Sequence, residues 1–586
     1  MTRARRRAVP CYALLLSLLI TAPLLAPGYL LLRDAVSTPR SWLSDTALGL
    51  SESAARAVPQ DFAVALGSAV LDGGVLVKAL LILGLWLAGW GAARLAADLV
   101  DAGLPGQFLA ATVAIWNPYV AERLLQGHWS LLLGFGCLPW VAVSVLGTGR
   151  FGERRRSWSE RSESRRSRSE TGTARRNTGR VRWWALGFWL ALAGLTPTGG
   201  LMAAVVALVC CVSPGAGARW RDVLGVTGLA TVAALPWLVA SAGGSLRTYG
   251  AAGAPGFDVF ASRAEPGLGT LGTLAGLGGI WNADSVPESR TTWFAVVGTL
   301  ALVALVAAGV HAAWHTRARP LLVLALIAVV GPALAATASG LAVLQAAAEF
   351  APGLGVLRDT QKWVGLALPG YAVCAAAAVP VIARRVPVLR PAVVAAVGCA
   401  ALLAALPDLA FGVGGAVHSV RYPGGYAAVA LRINADPAPV AVLPADSMRE
   451  FSWAPGAPVL DPLPRWVSAE VLTTGDLLIA GVPVPGEGNH ARAVQWLALD
   501  GAAPEALARA GVGWLVVETS AGEMGSAATT LAALTPVYAD DQIRLYRVSD
   551  AGQTHSPRRA VLIAAHLCWL ALLVAGAVGA VVRARR

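Results

Sequence analysis

Lysine occurs only at Lys78 and Lys362 in these 586 residues, and charged residues of all kinds make up just 14%. So little charge excludes an ordinary water-soluble protein. With 56% hydrophobic residues and a mean hydropathy of +0.60, the chain holds more apolar surface than a soluble domain of usual size can bury. Lipid is therefore its solvent. The replacement of lysine by arginine reads as the codon bias of a GC-rich bacterial genome. Cysteine is scarce as well. Cys11, Cys137, Cys210, Cys211, Cys374, Cys399 and Cys568 all lie in or beside apolar runs, which leaves no disulfide framework in the polar stretch near the C-terminus and no zinc-ligand spacing. Acidic residues number 34 against 47 basic ones, a net charge of +13, but the excess sits in loops between apolar runs, where topology accounts for it without nucleic acid. The chain also lacks an internal repeat, a phosphate-binding glycine loop, a histidine and carboxylate spacing for a metal, and a Ser, His, Asp order. No cofactor is implied.

What the chain does have is a long series of apolar runs. They fall near 11–32, 75–97, 105–120, 129–147, 183–196, 199–213, 222–241, 291–311, 320–339, 363–383, 391–411 and 560–582, and runs of about 20 residues suffice to cross a bilayer. The first follows Arg3, Arg5, Arg6 and Arg7 and reads as a retained signal anchor. Between 183 and 213 the chain reads as one long helix or as two short ones hinged at 196–200. Two helices keep Arg219 and Arg221, Arg317 and Arg319, Arg384, Arg385 and Arg390, and the terminal arginines all on one side, so the positive-inside rule selects two.

The predicted fold class is thus a polytopic α-helical membrane protein of about 12 transmembrane helices, with a small extracytoplasmic α/β domain before the last one. Residues 1–410 form the multi-span domain, with outer loops 33–74, 241–290 and 340–362 and a short outer turn at 118–128. Residues 149–182, rich in Arg and Ser, form a disordered basic cytoplasmic loop. Residues 411–557 mix helical stretches (426–434, 504–510) with β-rich runs (440–443, 514–518, 543–548). Residues 558–586 supply the final helix and a basic tail. The protein is placed in the plasma membrane with both termini cytoplasmic.

Several outer polar residues are candidates for chemistry. Asp34 follows Arg33 at the outer end of the first span, where an ionisable pair is costly. Its carboxylate is either a general base toward an acceptor hydroxyl at the membrane surface or one half of a solvated pair that ends the helix. The run 358–362 places Arg358 and Lys362 four apart. A helix starting near Asp359 would put both on one face with its positive end outward, a fit for a lipid phosphate or for snorkelling at the interface. Both lysines stand at outer span ends, which points the same way. Asn117, Glu122 and His128 crowd a short turn that either dips into the membrane to line a cavity or caps a loop. In loop 241–290, Arg263, Trp281 and Asn282 offer a basic side chain, a ring and an amide, the ring suited either to stacking on sugar or to anchoring the loop at the membrane interface.

Together, the many spans, a long first outer loop opening on Asp34, and the C-terminal outer α/β domain resemble the GT-C superfamily of membrane glycosyltransferases. The likeness covers the whole architecture. Asp34 is followed by Ala35, so the paired acidic motif common in that superfamily is absent, with Asp45 and Asp61 as substitutes in the same loop. The resemblance implies transfer of a sugar from a polyprenyl-phosphate donor to a cell-envelope glycan or lipid on the outer face, with Asp34 as base. Arg358 and Lys362 would hold the donor phosphate, and Asn117, Glu122, His128, Arg263, Trp281 and Asn282 would bind substrate. Two other classes fit the composition: a lipid or solute transporter, which should carry charges near mid-span, and a non-catalytic scaffold of envelope assembly.

Overall fold

The computed structural model describes residues 3–52, 56–146, 181–212, 220–243, 256–454, 456–479, 481–553 and 556–585. The basic loop 149–182 lies outside the described residues except at 181–182, as does 244–255 of the loop 241–290.

Helices dominate. Among the described residues seven are long and apolar enough to cross a membrane, Arg7–Leu25, Gly73–Leu99, Trp129–Leu146, Trp220–Ala242, Phe294–Trp314, Thr360–Arg385 and Arg559–Arg583. The number is 9 if two bent pairs, Arg319–Ala335 with Ala338–Phe350 and Pro391–Ala405 with Pro407–Gly414, each count as one span. The remaining apolar runs of the sequence form shorter helices, Leu104–Ile115 with 12 residues, Trp183–Ala193 with 11 and Pro197–Val212 with 16. The chain breaks at 194–196, where Gly194 and the following Pro197 interrupt the backbone ladder.

Without a hydrophobic drive between helices in lipid, small residues set how closely they pack. A Cβ on Gly136 would sit 2.1 Å from the Gly84 carbonyl oxygen, so Trp129–Leu146 and Gly73–Leu99 touch backbone to backbone. Asp72 caps the latter helix by accepting from the Gly74 and Val75 N–H groups, at 2.9 and 3.1 Å.

The first span is shorter than its apolar run. Helix Arg3–Thr21 ends in the turn Ala22–Leu25, and Pro27 and Gly28 (φ +129°) stop any continuation. The expected helical stretch at 29–32 is instead the strand Tyr29–Leu32, antiparallel to Ala35–Val36 and to Ser419–Val420. Its apolar side chains are buried in a sheet. Hydropathy does not distinguish that from burial in lipid.

Beyond 418 the strands and helices alternate. The four-stranded sheet runs Pro536–Ala539, Ile543–Arg547, Trp514–Glu518, Val440–Leu443, with the last two strands parallel. The near-continuous apolar runs of 440–443 and 514–518 follow from cover on both faces. Val440, Val442, Trp514 and Val516 face Tyr426 and Val429 of helix Gly424–Ala435, while Ala441, Leu443 and Leu515 face Val494 and Leu507 from Asn489–Leu499 and Pro504–Arg509.

This sheet region is stitched to one end of the helix bundle. Arg33 donates its N–H to Pro458 O at 3.1 Å and accepts from Leu460 N at 2.9 Å. Asp61 pairs with Arg465 at 3.1 Å, and Asp45 pairs with Arg559 of the last helix.

Candidate active site

At the end of the bundle that meets the sheet region, three pieces of backbone converge. The first is the tight turn Arg33–Asp34 between strands Tyr29–Leu32 and Ala35–Val36. Arg33 adopts φ +48° there, and its guanidinium donates to the Leu125 carbonyl at 2.8 Å and the Asp284 carbonyl at 2.7 Å. Arg33 and Asp34 are therefore not a solvated pair ending a helix. Arg33 is an 8% exposed anchor that fixes the turn.

The second piece is helix Pro118–Leu125 with the turn that follows it. All eight of its residues are buried, including Glu122 and Arg123. Asn117 caps it: its Oδ1 accepts from Val120 N at 3.1 Å and its Nδ2 donates to the Val113 and Ala114 carbonyls. All of the Asn117 amide is thereby spent on the backbone. After the helix, Gly127 turns with φ +82°, and a Cβ there would lie 2.4 Å from both Ala35 N and Leu32 O. Glycine at 127 is what lets Gln126 and His128 reach the Asp34 turn.

The third piece is 358–362. The sequence places an α-helix from Asp359 with Arg358 and Lys362 on one face. Instead, Thr360–Ala367 is a 3-10 helix, the α-helix starts at Leu368, and Asp359 caps neither. Three residues per turn separate the two cations. The Arg358 guanidinium lies 4.0 Å from the centre of the Phe260 ring, which also packs edge-on against Trp281 at 4.6 Å, while Lys362 turns to Asp359.

The polar contacts join these pieces. Asp34 Oδ2 accepts from His128 Nε2 at 2.9 Å and from Gln126 Nε2 at 3.1 Å, with the side chain 39% exposed. His128 Nδ1 lies 3.2 Å from Arg123 Nη1. Arg123, fully buried, forms a bidentate pair with Asp359 at 2.8 and 3.0 Å and also donates to Gln361 Oε1. Lys362 Nζ stands 3.5 Å from Asp359 Oδ2, with its side chain 24% exposed. Gln126 Oε1 accepts from Asn282 Nδ2 at 2.9 Å and Ser285 Oγ at 2.8 Å. Gln361 Nε2 donates to Glu122 Oε2 at 2.9 Å, and Glu122 also accepts from the Gly279 and Ile280 N–H groups at 2.9 and 3.1 Å.

Burial works against ionising Asp34, but the hydrogen bonds from His128 and Gln126 and the charge of Lys362 outweigh it and hold the carboxyl at about 2. Asp359 is likewise held below the usual carboxylate range, burial being overcome by Arg123 and Lys362. His128 is pulled down by burial and by the Lys362 charge, so it is neutral near pH 7. Glu122 is pushed up by burial and by its neighbour Glu265.

On the far side of the 279–283 segment a cavity of about 390 Å³ is lined by Glu122, Arg263, Glu265, Ile280, Arg290 and Thr291 among others. Arg263 is exposed at this cavity, and Glu265 is paired with the buried Arg290. Among the described residues no three His, Cys, Asp or Glu side chains are grouped to hold a metal.

Asp34, His128 and Lys362 thus fall into one cluster, to which Gln126 joins Asn282 and Gln361 joins Glu122. Arg358 and Trp281 form a neighbouring aromatic and cationic wall through Phe260, Arg263 faces the cavity, and Asn117 lies outside as a cap. Lys78 is not part of the cation group. It donates to Ala26 O at 3.0 Å and Ser419 Oγ at 2.8 Å. The carboxylates of Asp45 and Asp61 are occupied by Arg559 and Arg465. Sequence reasoning did not assign roles to Arg123, Gln126, Asp359 and Gln361. Glu122 and Arg123, adjacent charges inside an apolar context, were the available signal, since such charges require partners.

No protein-family model matches the chain, and no curated protein matches it. A solved structure that it resembles is the arabinofuranosyltransferase AftD from Mycobacteria, a member of the GT-C superfamily, determined by cryo-EM in a mutant form. The TM-score is 0.52 at 17% identity, over 94% of this chain and 42% of that one. The chain spans less than half the length of that protein, and the likeness establishes a shared fold.

Proposed function

With a fold shared with a GT-C membrane glycosyltransferase as premise, we propose that this chain transfers a sugar from a polyprenyl-phosphate donor to a cell-envelope glycan or lipid on the outer face of the plasma membrane. The observation that carries the reading is the Asp34 carboxylate, with one oxygen held by His128 and Gln126, facing solvent within reach of the Lys362 charge, with Arg358 on the other side of Lys362 against Phe260. A base and an anion site side by side are what displacement of a phosphate from a sugar requires.

In this reading Asp34 takes the proton of the acceptor hydroxyl as that oxygen bonds to the anomeric carbon. The bond from that carbon to the donor phosphate oxygen breaks, and the phosphate leaves with the electron pair. Lys362 and Arg358 face the charge that develops on it. The acceptor hydroxyl lies at Asp34, the cavity lined by Glu122, Arg263 and Thr291 takes a part of the acceptor away from that hydroxyl, and Trp281 offers a ring face to sugar. The side carrying the site is extracytoplasmic, along with 411–557, and the basic loop 149–182 and both termini are cytoplasmic. Residues 1–410 form the multi-span domain and 558–586 the last span with its tail.

The test is sugar transfer by the purified protein in liposomes from a radiolabelled polyprenyl-phosphate sugar. Asp34→Asn is expected to lower turnover by roughly 10²- to 10⁴-fold, the range for loss of a general base. Lys362→Met is expected to weaken donor use. Wild-type turnover in both variants overturns the assignment, and no transfer from any polyprenyl-phosphate sugar overturns the function in favour of a scaffold.

A further inference from the structure

We propose that His128 acts as a neutral positioning residue: Arg123 fixes its tautomer, and His128 with Gln126 occupies one oxygen of Asp34 so that only Oδ1 is presented to the acceptor. This rests on the reading of Asp34 as the base.

The hydrogen-bond roles follow from elementary donor chemistry. A guanidinium has no acceptor, so the 3.2 Å contact between Arg123 Nη1 and His128 Nδ1 requires a bare lone pair on Nδ1. The imidazole proton is then on Nε2, from which it points to Asp34 Oδ2 at 2.9 Å. Gln126 is fixed by the same logic. Its Oε1 accepts from Asn282 and Ser285, so its NH₂ group faces Asp34 and donates to the same oxygen at 3.1 Å. Among the described residues no hydrogen bond reaches Oδ1.

Arg123 cannot swing away, because Asp359 grips it with two bonds and Gln361 with a third. The groups facing His128 are Asp34 from the hairpin turn, Arg123 from the preceding helix, and Asp359 and Lys362 from the 3-10 segment, two carboxylates and two cations. A second proton on Nδ1 would meet the Arg123 N–H. The proton taken from the acceptor hydroxyl therefore remains on Asp34 Oδ1 until water removes it, and His128 does not relay it.

Glutamine at 128 copies this tautomer: its amide nitrogen reaches toward Asp34 while its oxygen accepts from Arg123. Asparagine is too short to reach Asp34, and alanine does neither. Steady-state transfer is measured in liposomes across pH for His128→Gln, His128→Asn and His128→Ala, each checked by thermal melting. Expected is kcat within about threefold of wild type for His128→Gln, with an unshifted pH profile. His128→Asn and His128→Ala should lose about 10²-fold in kcat, the scale of a misplaced reacting group, at an unchanged donor KM. Their acid limb should move upward as Asp34 loses a donor. His128→Gln as inactive as His128→Ala overturns the proposal, because a titrating histidine would then be required. So does full activity in all three while Asp34→Asn is inactive. An active Asp34→Asn instead removes the base reading itself.

Discussion

Replacing Arg123 with leucine should destabilise the protein by about 3 kcal/mol, and the loss should be largely repaired by removing Asp359 as well. Both side chains are nearly sealed from solvent, at 0% and 7% exposure, and meet through bonds of 2.8 and 3.0 Å. Opposite charges at roughly this separation attract by about 4 kcal/mol at an effective dielectric near 20. Removing one partner of a buried pair generally costs about 3 to 5 kcal/mol, because the other charge is left uncompensated. Here Lys362, 3.5 Å from Asp359 and partly exposed, offsets some of that, which puts Arg123→Leu at the low end. Asp359→Leu strands the Arg123 charge on His128 and Gln361 and should cost a similar amount. The double variant Arg123→Leu, Asp359→Leu buries apolar groups in place of ions and should fall within about 1 to 2 kcal/mol of wild type. Equilibrium unfolding in mixed micelles of mild detergent and SDS measures all four corners of the cycle. A coupling energy of at least about 2 kcal/mol is expected. Additivity within about 0.5 kcal/mol, or single variants as stable as wild type, refutes the pairing argument.

Three further outcomes follow from the same geometry. Gly127→Ala places a Cβ against Leu32 O and Ala35 N at a positive φ, so it should cost about 1 to 3 kcal/mol and separate Gln126 and His128 from Asp34. A melting curve and transfer assay check this, and a wild-type result in both contradicts it. Glu122→Gln turns a three-donor acceptor into a group that presents N–H to N–H, and should lose about 1 to 3 kcal/mol for the unsatisfied donor. Unfolding shows whether it does, and equal stability would mean the amide finds another partner. For pH, Asp34 titrates at about 2 in the fold, below its unfolded value near 3.9, so its stabilisation is complete above about pH 4 and vanishes as pH falls through 2. The melting-temperature difference between wild type and Asp34→Asn should be constant from pH 7 to 5 and shrink between 4 and 2. A difference that disappears near pH 6 would show that Asp34 is not held in this way.

Much of this molecule follows from local pattern. The apolar runs at 75–97, 129–147, 222–241, 291–311 and 560–582 are long helices because hydropathy and length are properties of the run itself. The strands at 440–443, 514–518 and 543–547 follow from short β-branched and aromatic runs bounded by turn residues. Asp34, His128 and Lys362 stood out as polar residues at the ends of such runs. Local pattern misread Tyr29–Leu32, where four apolar residues serve a sheet as well as they would a membrane. It also misread 360–367, where the pull of Arg123 on Asp359 accompanies a 3-10 start that no composition signals.

The sequence alone determined that the chain is solvated by lipid, because the apolar content and its run lengths leave no other solvent, and it marked the polar run ends as the places where chemistry is affordable. Only the tertiary structure decided which of these polar groups work together. Arg123 and Asp359 are separated by 236 positions and His128 and Asp34 by 94, distances over which the chain carries no local record of its partner. Those pairings are set by where helix Pro118–Leu125 is buried and by the room that Gly127 leaves for the hairpin turn. Burial then makes the Arg123–Asp359 pairing obligatory, since a charge removed from water needs a partner wherever in the sequence it lies.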